Sequence, residues 1–371
     1  MKKSLGLFTL AFALLFAAVI GVKADVTEVD TEAELSTALQ NGYSVKLTDN
    51  IENISNIIKI KGKGTVVIDG NGKIVSTNSV KKVFEIYAEG GDLEVIFENI
   101  TVMNSVYDGR AIDTRTANIT LTINKSTLKT TSTGNNQPLT IGGSAGLVVV
   151  NLNESTIEAG VAGYGIIAFV PANITINKSN VSGYAAVYMK DGSEGSEINV
   201  KNESVLTGKN DHTGDTNNFG TVALEDDGIK VNIENSTVEA TGTGGAKQVI
   251  FSQNSGLTIE KETMITVSGD STITAKPEGF FINQDDAKVV VEAGVTTNIE
   301  VPEEYLPEGV EAVEDENGNF VVVEKTNTGS GAPGVVEPNP NTGDNVVTYI
   351  LIGLMSLVTF GYASNKLRKN A

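Results

Sequence analysis

Seven stretches of this chain repeat one short pattern, and a repeat of about 25 residues restricts the fold more than any other feature. They are Val95-Ile-Phe-Glu-Asn-Ile-Thr-Val102, Leu121-Thr-Ile-Asn-Lys-Ser-Thr-Leu128, Val150-Asn-Leu-Asn-Glu-Ser-Thr-Ile157 and Ile174-Thr-Ile-Asn-Lys-Ser-Asn-Val181, followed by Val200-Lys-Asn-Glu-Ser-Val205, Val231-Asn-Ile-Glu-Asn-Ser-Thr-Val238 and Leu257-Thr-Ile-Glu-Lys-Glu-Thr-Met264. Their closing apolar residues are 26, 29, 24, 24, 33 and 26 positions apart. Apolar residues alternate with Thr, Asn, Lys or Glu, the period of a strand with one buried face. Gly, Asn and Ser clusters separate the units, and no helical pattern interrupts them. A unit this short cannot bury its own apolar face, so the units must stack. One coil per unit, with parallel strands about 4.8 Å apart, satisfies both the burial and the backbone hydrogen bonds.

Over residues 45–300 this all-β pattern resembles the right-handed, single-stranded parallel β-helix, or solenoid, of the pectin-lyase-like superfamily. A pair of immunoglobulin-like sandwiches is the alternative, but it predicts no recurring Asn-x-Ser-Thr-Val unit. Segment 25–44 reads as a cap. Thr31-Glu32-Ala33-Glu34 is a capping box ahead of Leu35, Ala38 and Leu39, and Gly42 is placed to stop a short helix over the first coil. Segment 301–325, with Leu306-Pro-Glu-Gly-Val310 and Asn319-Phe-Val-Val-Val323, predicts a hairpin over the other end. Asn124, Asn153, Asn177 and Asn235 fall just after strands, where residues that tolerate left-handed backbone turn the chain, and stacked amide ladders are a second use for them.

The two termini carry a different message. Lys2 and Lys3 precede an apolar stretch from Leu5 to Ile20, and Val22-Lys23-Ala24 offers small residues to a signal peptidase, which predicts a signal peptide over 1–24 cut between Ala24 and Asp25. Segment 326–338 is rich in Gly, Ser, Pro and Thr and reads as a flexible linker. Segment 339–371 orders Asn339-Pro340-Asn341-Thr342-Gly343, an 18-residue apolar run from Val346 to Ala363, and the basic residues Lys366, Arg368 and Lys369. Pro340 pushes Asn339 toward extended geometry. Gly343 leaves the Thr342 carbonyl open to a thiolate. The apolar run is just long enough to cross a bilayer, and the basic tail holds it there.

This order resembles the Leu-Pro-x-Thr-Gly cell-wall sorting signals of Gram-positive surface proteins, with Asn339 where Leu is commonest. The resemblance implies that a membrane sortase cuts after Thr342 and joins it to a peptidoglycan precursor, after transient membrane insertion through a transmembrane helix over 346–363. The expected location is therefore the cell wall.

Removing both ends takes away six basic residues and one acidic, leaving 21 against 45 and a net charge of −24. So acidic a surface argues against nucleic acid or anionic lipid as partners. With no Cys and the single His212, thiolate and multi-histidine metal sites are excluded.

The superfamily holds both enzymes and adhesins. Its hydrolases resemble one another in paired Asp residues with a His and an Arg-x-Lys, and its lyases use an Arg or Lys base beside calcium-binding acids. The weak enzymatic alternative is Asp108-Gly-Arg110-Ala-Ile-Asp113-Thr-Arg115, with Arg110 as base and Asp108 on calcium. The competing expectation for these residues is solvated charge pairs along a strand. Asp226-Asp227 offers paired acids, but Gly228 beside it marks a turn. In the insertion from Gly208 to Gly220, Asp211, Asp215 and Asn217 offer oxygens for weak Ca²⁺ binding next to His212. Tyr107, Tyr164, Tyr184 and Tyr188 are expected to be exposed rings for stacking sugars. The reading is a wall-linked, non-catalytic adhesin or glycan-binding protein without a cofactor. A polysaccharide lyase or hydrolase and a passive spacer are the alternatives.

Overall fold

Alternation decides which side chains enter the core. Ile119–Asn124, Val148–Asn153 and Ala172–Asn177 each bury every second residue. Val95, Leu121, Val150, Ile174, Ile198, Val231, Ile265 and Val289 are direct partners in successive coils. None is more than 3% exposed. Each such side chain contributes about 1.5–3 kcal/mol by leaving water. The computed structural model describes residues 26–325, except 145, 161, 210–218, 243–248, 254–260, 277–279 and 284–286. The signal segment, the linker and the sorting segment, residues 339–343 included, lie outside the described residues.

The result is an all-β parallel solenoid of about 8 turns with one short helix. Each coil has three faces. Ile119–Asn124 lies on the first, Thr127–Thr130 on the second and Gln137–Ile141 on the third, before Val148–Asn153 starts the next coil. Each strand pairs in parallel with its counterparts in neighbouring coils. Near the start, Ile58–Asp69 and Lys82–Glu98 run from the third face into the first, with a register shift at Gly62/Gly64.

The corner between the first and second faces is held by serine. Ser126, Ser155, Ser179, Ser204, Ser236 and Ser271 are all 3% exposed or less. Five of these hydroxyls, all but that of Ser236, accept the corner N–H of the preceding coil: Ile100 to Ser126 at 3.1 Å, Ser126 to Ser155 at 3.1 Å, Ser155 to Ser179 at 3.0 Å, Ser179 to Ser204 at 3.1 Å and Ser236 to Ser271 at 3.2 Å. Each hydroxyl also donates to a carbonyl two or three residues back. Outside this column runs an amide ladder. Asn124 donates to Glu98, Asn153 to Asn124, Asn177 to Asn153 and Asn202 to Asn177. The left-handed turn residues are mostly their successors, Lys125, Glu154 and Lys178, at φ between 45° and 50°. Asn124, Asn153 and Asn177 remain on the strand and spend their amides in the ladder, and of the four asparagines expected to turn the chain only Asn235, at φ 48°, does so.

Two registers differ from the repeat as read. Val181 pairs with Leu206 rather than Val205, because Asn202 and Glu203 both take positive φ and add a residue to the corner. Val238 pairs with Ile273, while Met264 pairs with Lys230 on the outside of the first face. Leu257–Met264 mimics the unit but has Glu262 where the corner needs a serine, and Ser271 supplies it.

The first face also begins earlier than residue 45, since Thr27–Val29 already pairs with Val45–Leu47. Between these strands, helix α1, Glu32–Gln40, is capped by Thr31, whose hydroxyl accepts from Glu34 N–H while Glu34 accepts from Asp30 N–H. Leu35, Ala38 and Leu39 bury its inner face. At the other end Val310–Glu314 and Phe320–Glu324 form an antiparallel hairpin, and its second strand pairs with Thr296–Thr297.

The serine column predicts an asymmetry between neighbouring polar residues. Ser179→Ala strands the buried Ser155 N–H and should cost about 1–3 kcal/mol. Asn177→Ala, on the outer ladder, should cost less than about 1 kcal/mol. Denaturant midpoints of the two variants check this, and equal losses would contradict the corner assignment.

Candidate functional site

The outward residues of the third face form one column across the coils: Lys59, Glu85, Asp113, Thr140, Ile167, Tyr188, Ala223 and Ser252. Lys82, Arg110 and Gln137 form a second column beside it. The start of this surface is charged and its middle is aromatic.

At the charged end three cations converge on one acid. The Asp113 side chain is 0% exposed, with Lys82 Nζ at 2.7 Å, Arg110 Nη1 at 2.9 Å and Arg115 Nη1 at 3.5 Å from Oδ2. Its Oδ1 has no hydrogen-bond partner among the described residues. Lys82 also reaches Glu85 Oε1 at 2.6 Å, and Tyr87 donates to Glu85 Oε2 at 2.8 Å. These are not solvated pairs along a strand, as the sequence suggested. Strand pairing stacks Lys82–Glu98 on Arg110–Thr114 and closes a network around a buried carboxylate. Burial pushes the Glu85 carboxyl up, but the Lys82 and Tyr87 hydrogen bonds and the charges of Lys82 and Arg115 outweigh it and hold it below the ordinary carboxylate range.

Asp108 takes no part in this network. It sits in a turn at φ 54°, and its Oδ1 accepts Asn135 N–H at 2.8 Å. Thus Arg110 is joined to Asp113, which Arg115 also approaches, and not to Asp108. Lys82 and Glu85, supplied by the preceding coil, were not evident from local spacing.

The other paired acids act as staples between coils. Asp226 Oδ2 accepts Gly192 N–H at 2.9 Å, and Asp227 Oδ2 accepts Lys261 N–H at 3.0 Å. Gly228 completes the turn at φ 63°. Asp211, His212, Asp215 and Asn217 lie outside the described residues. Among the described residues, no three His, Cys, Asp or Glu side chains cluster so as to hold a metal.

Of the four tyrosines, Tyr107 is 62% exposed, with Lys81 Nζ 5.8 Å from its ring centre. Tyr184 and Tyr188 are buried, contrary to expectation, at 6% and 4% exposure. Tyr164 lies 4.8 Å from Tyr188 and 6.0 Å from Tyr184 between ring centres, and Phe219 lies 4.8 Å from Tyr188. The small residues between them permit this packing. A Cβ on Gly183 would stand 2.6 Å from Gly165 N, so only glycine lets these two coils approach. The Tyr188 hydroxyl donates to Glu225, and Lys190 Nζ lies 3.4 Å from the same carboxylate and 5.5 Å from the Tyr188 ring centre. Burial, then the Glu225 bond, holds the Tyr188 phenol well above its usual range. These rings are a second, outer apolar core rather than a bare stacking platform.

No family profile matches the chain, and no curated protein matches it. Two solved structures are similar to it. One, described as "L. reuteri 53608 SRRP", is 18% identical with a TM-score of 0.47, and the match covers 74% of this chain and 96% of that one. The other, described as "L. reuters 100-23 SRRP", is 16% identical with a TM-score of 0.47, and the match covers 74% of this chain and 84% of that one.

The Glu85 network predicts an acid response with a definite sign. A carboxyl whose folded titration lies below its unfolded one contributes stability in full above the unfolded value. That contribution is lost as pH falls through the folded value. Below about pH 4 the parent should therefore lose stability more steeply than Glu85→Gln, which lacks this titration. Denaturation midpoints between pH 3 and 6 check it, and parallel curves would show that Glu85 is not held in this way.

Proposed function

We propose that the chain is an exported, wall-linked surface protein that acts as a non-catalytic, adhesin-like or glycan-binding display protein. The observation that carries the anchoring is the order of residues 339–343, the apolar run and the basic tail. Sortase would form an acyl-enzyme at Thr342, and a peptidoglycan amine would release it. The described fold supports display of a ligand surface. The parallel coils hold the charged side chains of the third face in fixed register, and the exposed Tyr107 ring stands in the turn that leads into that face.

The competing reading is a polysaccharide lyase or hydrolase, for which Arg110 would be the base. Its guanidinium is held by Asp113, and no acid triad stands beside it among the described residues. A hollow of about 190 Å³ is lined by Ala287, Lys288, Val289, Glu304 and Tyr305, none of them in the charged network. Calcium-dependent turnover of an acidic polysaccharide that disappears in Arg110→Ala would replace the adhesin reading with this one.

Anchoring is checked in the native host by cell fractionation. Thr342→Ala should move the protein from the muramidase-released wall fraction to the membrane fraction. An unchanged wall signal would defeat the sortase assignment. Retention of the parent on a glycan or matrix-protein array without turnover would support binding, and no retention would leave a passive spacer as the better account.

A further inference from the structure

We infer that a second copy of this chain docks end to end on the first: Thr27–Val29 of one copy adds in parallel to the free edge of Ala287–Val291 in the next. Register selects the partner. One column of strand partners runs unbroken across the first face, from Thr27 through Val45 and Ile68 at one end to Ile233, Val267 and Val291 at the other. The two ends therefore carry strands of the same sheet running in the same direction, and the position beyond Val291 is that of Thr27 in another copy. The free backbone groups match as well. Thr27 N–H donates to Ser44 O at 2.9 Å and Val29 C=O accepts Thr48 N–H at 3.0 Å, both toward the stack. Successive residues of a strand point their backbone groups to opposite sides, so those of Val26 and Glu28 face outward. At the other end Glu292 N–H donates back to Val267 O at 2.9 Å, so the groups of Val291 face outward. With Thr27 opposite Val291, the Val291 N–H meets the Val26 carbonyl and the Glu28 N–H meets the Val291 carbonyl. The ladder continues with no shift of register.

The side chains next to this ladder fit the same register. Val26, 55% exposed, falls beside the partly exposed Val290, so docking takes an apolar pair out of water. The hollow between Ala287–Val289 and Glu304–Tyr305 shows that the turn flanking this edge does not pack flush against it. One contact opposes the junction. Glu28 falls on Glu292, both exposed, and like charges directly opposite destabilise a strand pair. Lys46, the partner of Glu28 within its own copy, offsets this in part. Asp30, Glu32 and Glu34 add negative charge at one end, and Glu300, Glu303 and Glu304 add it at the other. The junction is therefore weak at low salt and tightens as ions screen the carboxylates. It joins two different surfaces, so each added copy leaves one edge free and the assembly grows as an open row.

The chain has no native cysteine, so disulfide trapping reads the junction directly. Val26→Cys and Val290→Cys are made singly in the full chain, mixed in a neutral detergent and oxidised mildly. Parallel neighbours about 4.8 Å apart lie within disulfide range. The mixture should form the 26–290 disulfide at least about tenfold more than a control mixture of Val26→Cys with Leu147→Cys. Leu147 is exposed just ahead of the Val148–Asn153 strand, away from both edges, so this control also measures chance encounters within a micelle. Raising salt from about 0.05 M to about 0.5 M should increase the 26–290 yield about threefold or more. Glu292→Lys in the Val290→Cys chain should raise the low-salt yield by a similar factor, and Glu28→Lys in the Val26→Cys chain should then remove that gain. Glu28→Pro in the Val26→Cys chain takes away an outward N–H that has no role within one copy, and it should bring the yield down to the control level. Circular dichroism melts confirm that each variant folds. A 26–26 disulfide in place of 26–290 means that like edges meet, and it overturns the inference. So does a mixed yield equal to the Leu147 control, or a Glu292→Lys gain that survives Glu28→Lys.

Discussion

Every coil must turn through its corners without stranding a buried backbone N–H, and the rest of the structure depends on how that is achieved. At the corner between the first and second faces the solution is a serine whose hydroxyl accepts an N–H from the preceding coil and donates to its own carbonyl. A serine here is therefore a backbone partner more than a polar side chain. A buried, unmatched N–H costs about 1–3 kcal/mol, comparable to burying one whole aliphatic side chain. Corner chemistry thus sets coil register as firmly as the apolar core does. The last repeat shows this. The apolar pattern of Leu257–Met264 is satisfactory, yet the register passes it over for Ser271, where the serine column can continue.

This explains which parts of the fold were legible in the sequence. The first and second faces alternate cleanly, so their strands and one-sided burial could be read from Leu121 to Val238. The third face could not be read in this way, because Gln137–Ile141, Gly220–Leu224 and Val249–Gln253 are buried along their whole length. Strands buried on both sides lose the period of two. Tyr184 and Tyr188 were misjudged for the same reason: tyrosines in a polar, glycine-rich context look exposed until the coils stack them on Phe219. The candidate site was half legible. Arg110, Asp113 and Arg115 were close in sequence, whereas Lys82 and Glu85 enter only through pairing with a strand about 28 residues away.

Net charge is an average over the whole surface. A strongly acidic chain repels polyanions on average, but average charge says little about a surface within one Debye length, about 8 Å at physiological salt. Two coils of separation already exceed that distance. The Lys59 to Arg115 surface and the acidic remainder of the chain therefore act almost independently on a ligand in contact with either.

The ends of the stack use the same electrostatics in the opposite sense. Thr27–Val29 and Ala287–Val291 are the first and last strands of the first face, and each has a strand partner on one side only among the described residues. Such edges could join copies end to end. Around the first edge stand Glu28, Asp30, Glu32 and Glu34, with no lysine or arginine from Val26 to Ser44. From Val289 to Glu324 there are ten acidic residues and no basic one. Bringing one end onto the other would place like charges within a few ångströms, where screening is weakest. Acidic ends thus oppose stacking of copies, while the lysines and arginines are kept to the sides of the coils. That segregation keeps the charged network of the third face away from the edges at which copies would meet.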